Sequence, residues 1–274
     1  MSVFFLVGMS LDQAKQLLLE FPHAYVTDWQ LWQRTYQASS RPIGDVVVEF
    51  GNILRRWRAT RPYPMRRPRH QSNHDAPFLD DVVDAAWPHV QLLGNLNVRD
   101  IDKTLPGQDA ALISLWNLFC NLAYRGQTSC VGITKAIMLL TEGRIGPAFD
   151  STVRKNLRIP RPQDSESWLK YLREISWDIK GFEQKHNIVL ESLVPRELAP
   201  LSVGRVYDMI AGPRQSQHNL SPPRSSQDER QVDLAGGRYG HRDTGFGCAR
   251  GHERPRAHPH EAAARCRRNV KPSG

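Results

Sequence analysis

The sequence predicts an all-α fold, and three observations carry that expectation. Apolar residues recur at helical spacing through most of residues 11–210, the alternation typical of strands is scarce, and no internal repeat is present. Of 274 residues 40% are hydrophobic, enough for a sizeable core in one or two domains. A helical domain is expected over 1–211, because the composition changes abruptly at Gly212.

Taken in order, Ser10 can cap a helix over 11–21 whose apolar stripe is Leu11, Ala14, Leu18 and Leu19. Residues 22–43 mix Tyr25, Trp29, Trp32 and Tyr36 with polar positions. Trp29 and Trp32 stand three apart, a spacing that first suggests core packing; they are also the candidates for stacking on an extruded base. Residues 45–57 read as a second helix, and 78–95 as a third in which Pro88 marks a kink or break. The acids Asp80, Asp81 and Asp84 suit a first helical turn better than a metal site. Residues 96–108 read as a loop.

An apolar run over 110–122 stops in a polar turn, 125–129, and a second apolar run over 133–140 begins with Thr134 and Lys135. After a turn at 142–146, Pro147 suits the first turn of a further helix with Asp150 at its start. Asp164 to Ser167 opens a long helix over 168–186, with Trp168, Tyr171, Leu172, Ile175, Trp177, Ile179 and Phe182 at helical spacing. The last helix spans 203–210, where Arg205 and Asp208, three apart, can pair on one face.

Charge points to a polyanionic partner. The formal net charge is +9, which favours nucleic acid. Arg55, Arg56, Arg58, Arg61, Arg66, Arg67 and Arg69 interleave with Trp57, Tyr63 and prolines in an arm suited to phosphates and stacking. Beyond Gly212, twelve basic positions against six acidic ones leave a surplus of six, most of the chain's net charge. That segment has too few apolar residues to order itself; it reads as a disordered basic tail, or as an out-of-frame end. Cysteines at 120, 130, 248 and 266 form no C-x-x-C pair, as in a reducing compartment. With no signal peptide and no membrane-length apolar run, a cytoplasmic protein is expected.

Lys135 and Asp150 carry the chemistry. A lysine at the start of an apolar helix is partly desolvated and close to the positive end of the helix dipole, and both effects free a nucleophilic amine. An aspartate near the start of the next helix can activate that amine or stabilise positive charge on a sugar as a base departs.

The stretch over 108–156 resembles the helix-hairpin-helix DNA glycosylases, and among them the 8-oxoguanine glycosylase-like branch. Cys130-Val-Gly-Ile-Thr-Lys135 stands where those proteins have a hairpin of the form L-P-G-V-G-T-K, and Pro147-Ala-Phe-Asp150-Ser-Thr-Val153 where they have P-V-D-x-H-V. The hairpin keeps one glycine, Gly132, and Ile133 stands as an extra residue before Thr134. The resemblance implies a two-lobed helical bundle and a monomer that acts on double-stranded DNA without metal or cofactor. It also implies Lys135 as a Schiff-base nucleophile and Asp150 as the catalytic carboxylate. Gly132, Thr134 and Arg154 would join the arginine arm in holding DNA, and the excised base would be an oxidised purine. Compact relatives in phage defence make a hypermodified base, such as glucosylated hydroxymethylcytosine, the other expectation. The competing reading is a non-catalytic helical protein that grips nucleic acid through the hairpin and arginines alone.

Overall fold

The computed structural model of the chain describes residues 5–37, 44–60, 78–123, 128–198 and 200–212. Arg61, Arg66, Arg67 and Arg69, most of the polar turn after residue 123, and the tail from residue 213 lie outside the described residues. Among those described, the chain forms nine α-helices and three short 3-10 segments, with no strand.

Helix α1 (Leu11–Leu19) opens on the expected cap: Ser10 Oγ accepts from Gln13 N, and the Gln13 side chain accepts from Ser10 N. It stops short of Phe21, and Leu19 is 71% exposed, outside the buried stripe. Helix α2 (His23–Gln37) buries Trp29, Trp32 and Tyr36. Trp32 Nε1 donates to Leu139 O at 2.8 Å and Tyr36 Oη to Leu140 O at 3.1 Å, pinning α2 to the end of a central helix.

Helix α3 (Asp45–Arg56) and helix α4 (Leu79–Leu93) follow. Pro88 sits inside α4 without ending it, so of the expected kink or break the break does not occur; Val82, Val83, Ala86, Val90 and Leu93 bury one face on both sides of the lost donor. The expected loop over 96–108 is largely ordered into a 3-10 segment, Val98–Lys103, and the first turn of α5 (Pro106–Phe119), where Pro106 fits a position needing no N–H donor. Ion pairs the sequence does not announce hold that 3-10 segment to helix α8 (Ser165–His186): Arg99 with Glu183 at 2.7 Å, and Asp102 with Lys180. On α8, Trp168, Leu172, Ile175, Ile179 and Phe182 are buried as expected, whereas Trp177 is 55% exposed.

The central element is α6 (Cys130–Leu140), buried at every residue but Val131. Helix α5 packs on α4, α6 and α8; α3 packs on α2 and α6; and α9 (Val203–Ala211) packs on α1 and α7 (Ser151–Leu157). The buried side chains form one contiguous hydrophobic cluster from Leu6 to Ala211. No helix among the described residues is long and apolar enough to cross a membrane.

Gly143, Gly146 and Gly204 decide how α9 meets the turn after α6. Gly143 has φ +75°, a conformation L side chains rarely adopt. A Cβ on Gly204 would lie 2.6 Å from Gly143 O and 2.7 Å from Gly146 N, so only a glycine lets the start of α9 approach this closely. That contact delivers Arg205 and Asp208 to the cleft that Lys135 and Asp150 also line.

Candidate active site

Ser129 caps α6, its Oγ accepting from Gly132 N at 3.3 Å. The helix therefore begins at Cys130, and Cys130 to Lys135 are helical instead of forming a hairpin turn. Gly132 lies within the helix, where a Cβ would meet Thr128 Cγ2 at 2.6 Å and Ala59 O at 2.9 Å. The glycine is explained by that close approach of the chain after α3. Thr134 is buried as well: its Oγ1 donates to Cys130 O at 2.8 Å and accepts from Phe149 N at 3.0 Å. Both residues expected to touch a DNA backbone are thus engaged inside the protein, and Thr134 instead ties the segment leading to Asp150 onto α6.

With the helix starting at Cys130, Lys135 sits in its second turn, beyond the strongest reach of the helix dipole. Its amine is perturbed by burial instead. The residue is 9% exposed, and Nζ donates to Trp57 O at 3.3 Å and lies 5.7 Å from the ring centres of both Tyr25 and Trp57. Burial pushes the Lys135 pKa below its ordinary value; Asp208 and Asp150 pull it back up, and Arg205 opposes them.

Asp150 is the cap of α7 and not part of its first turn. Oδ1 accepts from both Thr152 N and Val153 N at 2.9 Å, leaving Oδ2 outside the capping bonds. Pro147, which follows a cis peptide bond, lies in the irregular segment before the cap; the helix starts at Ser151, four residues later than the proline suggested. Lys135 and Asp150 line one narrow cleft together with Phe21, Tyr25, Trp57, Met138, Arg205, Asp208 and Gly212, with an enclosed volume of about 30 Å³.

The cleft contains an ion pair visible in the sequence only as a pairing on α9. Arg205 Nη1 donates to Asp208 Oδ2 at 2.5 Å, and their side chains are 3% and 8% exposed. Asp208 Oδ1 accepts from Ala148 N at 2.9 Å, joining α9 to the segment before Asp150. Burial raises the Asp208 pKa and Asp150 raises it further, while Arg205 lowers it. The Arg205 guanidinium packs near the rings of Trp29, Phe21 and Trp57 at 4.8, 5.0 and 5.4 Å. Tyr25 and Trp57 meet edge to face with ring centres 5.9 Å apart.

Trp29 and Trp32 are corrected to core positions, at 1% and 0% exposure, with Trp32 spent on Leu139 O. The aromatic walls are Tyr25, one helical turn before Trp29, and Trp57, at the far end of α3; no spacing rule links these two. Arg55 and Arg58 are exposed, as a DNA contact requires. Arg56 is exposed too, but its guanidinium already pairs with Asp28 and Glu49 at 2.7 Å each. Asp28 also accepts from Trp57 Nε1 at 2.9 Å, so that network braces one wall of the cleft. Arg154 is partly buried on α7, and among the described residues its Nε has no hydrogen-bond partner. Among the described residues no group of His, Cys, Asp and Glu is arranged to hold a metal ion. No family model, curated protein or solved structure matches the chain.

Proposed function

We propose that the chain is a DNA glycosylase that extrudes and excises a modified base, with Lys135 as nucleophile and Asp150 as the carboxylate. The observation that carries this reading is the convergence of a desolvated lysine amine and an aspartate on one aromatic-walled cleft. A target nucleotide enters with its base against Tyr25 and Trp57, which must part, because about 30 Å³ holds no more than a water or two.

In its uncharged form, which burial favours, Lys135 Nζ directs its lone pair at the anomeric carbon. The bond from that carbon to the base breaks, its electrons leave with the base, and the base takes up a proton. Asp150 Oδ2 faces the positive charge developing on the sugar while Oδ1 keeps α7 capped. The attached amine then loses two protons, one of them to the ring oxygen as the sugar ring opens, giving an imine on Lys135, which water releases as an abasic site, or which eliminates the neighbouring phosphate. Arg55 and Arg58, exposed and close in sequence to the cleft residue Trp57, hold backbone phosphates.

The test is incubation with duplexes carrying 8-oxoguanine, uracil, alkylated purines or phage-type modified cytosines, with abasic sites read by alkaline cleavage. Abasic product that is lost in Asp150→Ala supports the reading. Binding to every duplex without abasic product from any refutes it.

A further inference from the structure

Among the described residues, four helices end on a non-glycine residue in the left-handed region: Arg58, Glu142, Arg158 and Asn187. Three of them suit the place. Asparagine tolerates that backbone, and Arg58 and Arg158 bring positive charge to a helix C-terminus, where the dipole favours it. Glu142, with φ +51°, suits it in neither respect. It follows the cap of α6, its N–H donating to Leu139 O at 3.0 Å, and sets a carboxylate at the negative end of the central helix. Glycine takes such a backbone freely, as Gly94 does at the end of α4 with φ +53°. The Glu142 carbonyl accepts from Ser202 Oγ at 2.6 Å, but its carboxylate meets no hydrogen-bond donor or cation among the described residues. A residue that breaks two local rules with no compensation inside the fold marks a side chain kept for function.

Glu142 lines a groove of about 400 Å³, the size of a small-molecule site, with Tyr36, Trp87, Gln91, Asn95 and Arg144. None of these residues lines the Lys135 cleft. Trp87 is half-buried and meets Tyr36 edge to face with ring centres 6.3 Å apart, which makes a flat apolar wall. The Tyr36 hydroxyl is spent on Leu140 O. Arg144 is half-buried and anchored by Nε, which donates to Thr141 O at 3.0 Å; Nη1 and Nη2 have no partner among the described residues. Burial raises the Tyr36 pKa, Glu142 raises it further and Arg144 lowers it, so both charges lie within reach of one hydroxyl. They nevertheless form no ion pair with each other. We propose that this groove binds a small zwitterion carrying a planar apolar group, an aromatic α-amino acid above all. Its ammonium donates to Glu142, its carboxylate takes the two free nitrogens of Arg144 side by side, and its ring lies on Trp87. The ligand gives each charge the partner that the fold does not, and the inference is independent of the excision reading.

The test is isothermal titration calorimetry of the full chain with L-tryptophan and three analogues. Tryptamine lacks the carboxylate, indole-3-propionate the ammonium and L-alanine the ring. L-Tryptophan is expected to bind. Tryptamine and indole-3-propionate should bind about tenfold or more weakly, the scale of one lost charge-assisted hydrogen bond, and L-alanine not measurably. Glu142→Gln is expected to bring L-tryptophan down to the affinity of indole-3-propionate. Glu142→Gly is expected to lose affinity in the same way while melting about 2–4 °C above wild type, which a merely structural glutamate would not do. If neither variant folds, the ligand series on the unaltered chain decides. Absence of binding by L-tryptophan, an analogue bound as tightly as L-tryptophan, or unaltered affinity in Glu142→Gln overturns the proposal. So does tighter binding of adenosine 5′-monophosphate, which can stack and meet Arg144 but brings Glu142 no cation.

Discussion

Replacing Lys135 with methionine separates what the amine does for chemistry from what it does to the fold. Methionine matches the lysine stem in length and removes the ammonium. Two terms oppose each other. The change deletes the bond from Nζ to Trp57 O, and hydrogen bonds from charged donors contribute about 1.5–3 kcal/mol. It also removes the desolvation of a charge in a residue only 9% exposed, and the lowered pKa means that burial outweighs the pull of Asp208 and Asp150 on the charged form. The environment therefore favours an uncharged group, and Lys135→Met is expected to stabilise the fold by about 1 kcal/mol, the usual scale when a strained functional group is removed. For a domain of this size that raises Tm by about 2–4 °C.

The pH dependence has a definite sign. Between the folded pKa of Lys135 and its ordinary value of 10.5, the unfolded chain binds more protons than the folded one. The wild type therefore gains stability as pH rises through that window. The advantage of Lys135→Met is largest at neutral pH and shrinks towards pH 10.5. Thermal unfolding of both proteins at several pH values measures it. A variant that melts below wild type at neutral pH, or whose advantage widens as pH rises, refutes the desolvation argument.

Further predictions concern the groups around the amine. Asp150→Asn keeps a capping oxygen and should leave Tm within about 1 °C, whereas Asp150→Ala loses about 1 kcal/mol with the cap; base release should fall by roughly a hundredfold or more in both, and activity retained in Asp150→Asn would show that the carboxylate is only a cap. Thr134→Val strands Phe149 N–H in the core and should cost about 1–3 kcal/mol in denaturant unfolding; a neutral effect would mean the segment before Asp150 is held in some other way. Gly204→Ala drives a Cβ to within 2.6–2.9 Å of three backbone atoms of the 143–146 turn, and should lower both Tm and base release by shifting α9 away from Lys135. Unchanged melting and activity would show that the turn yields without moving the cleft.

Much of the helical frame was legible because it depends on local pattern. The Ser10 cap, the buried face of α8 and the apolar α6 follow from spacing and capping chemistry alone. Lys135 and Asp150 were legible as residue types at two consecutive helix starts, and they do share a cleft. What perturbs the amine was not legible. Ser129 moves the helix start ahead of Lys135, so tertiary burial under Trp57 and Tyr25 replaces the dipole as the cause. The same limit explains Trp29 and Trp32. Helical spacing puts aromatics on one face, but whether that face meets a cavity or the core depends on contacts with Leu139 and Arg205, distant in sequence. Arg205 and Asp208 could be paired from their spacing. Their place beside Lys135 depends on Gly143, Gly146 and Gly204 letting two backbones touch, which no local pattern encodes.

The most direct test of the central claim, that Lys135 and Asp150 form one reactive centre, is borohydride trapping during base release followed by peptide mapping of the adduct. The account predicts a DNA adduct on the peptide carrying Lys135, absent from Lys135→Met and strongly reduced in Asp150→Asn. An adduct mapped to any other amine, or undiminished trapping in Asp150→Asn, would contradict it.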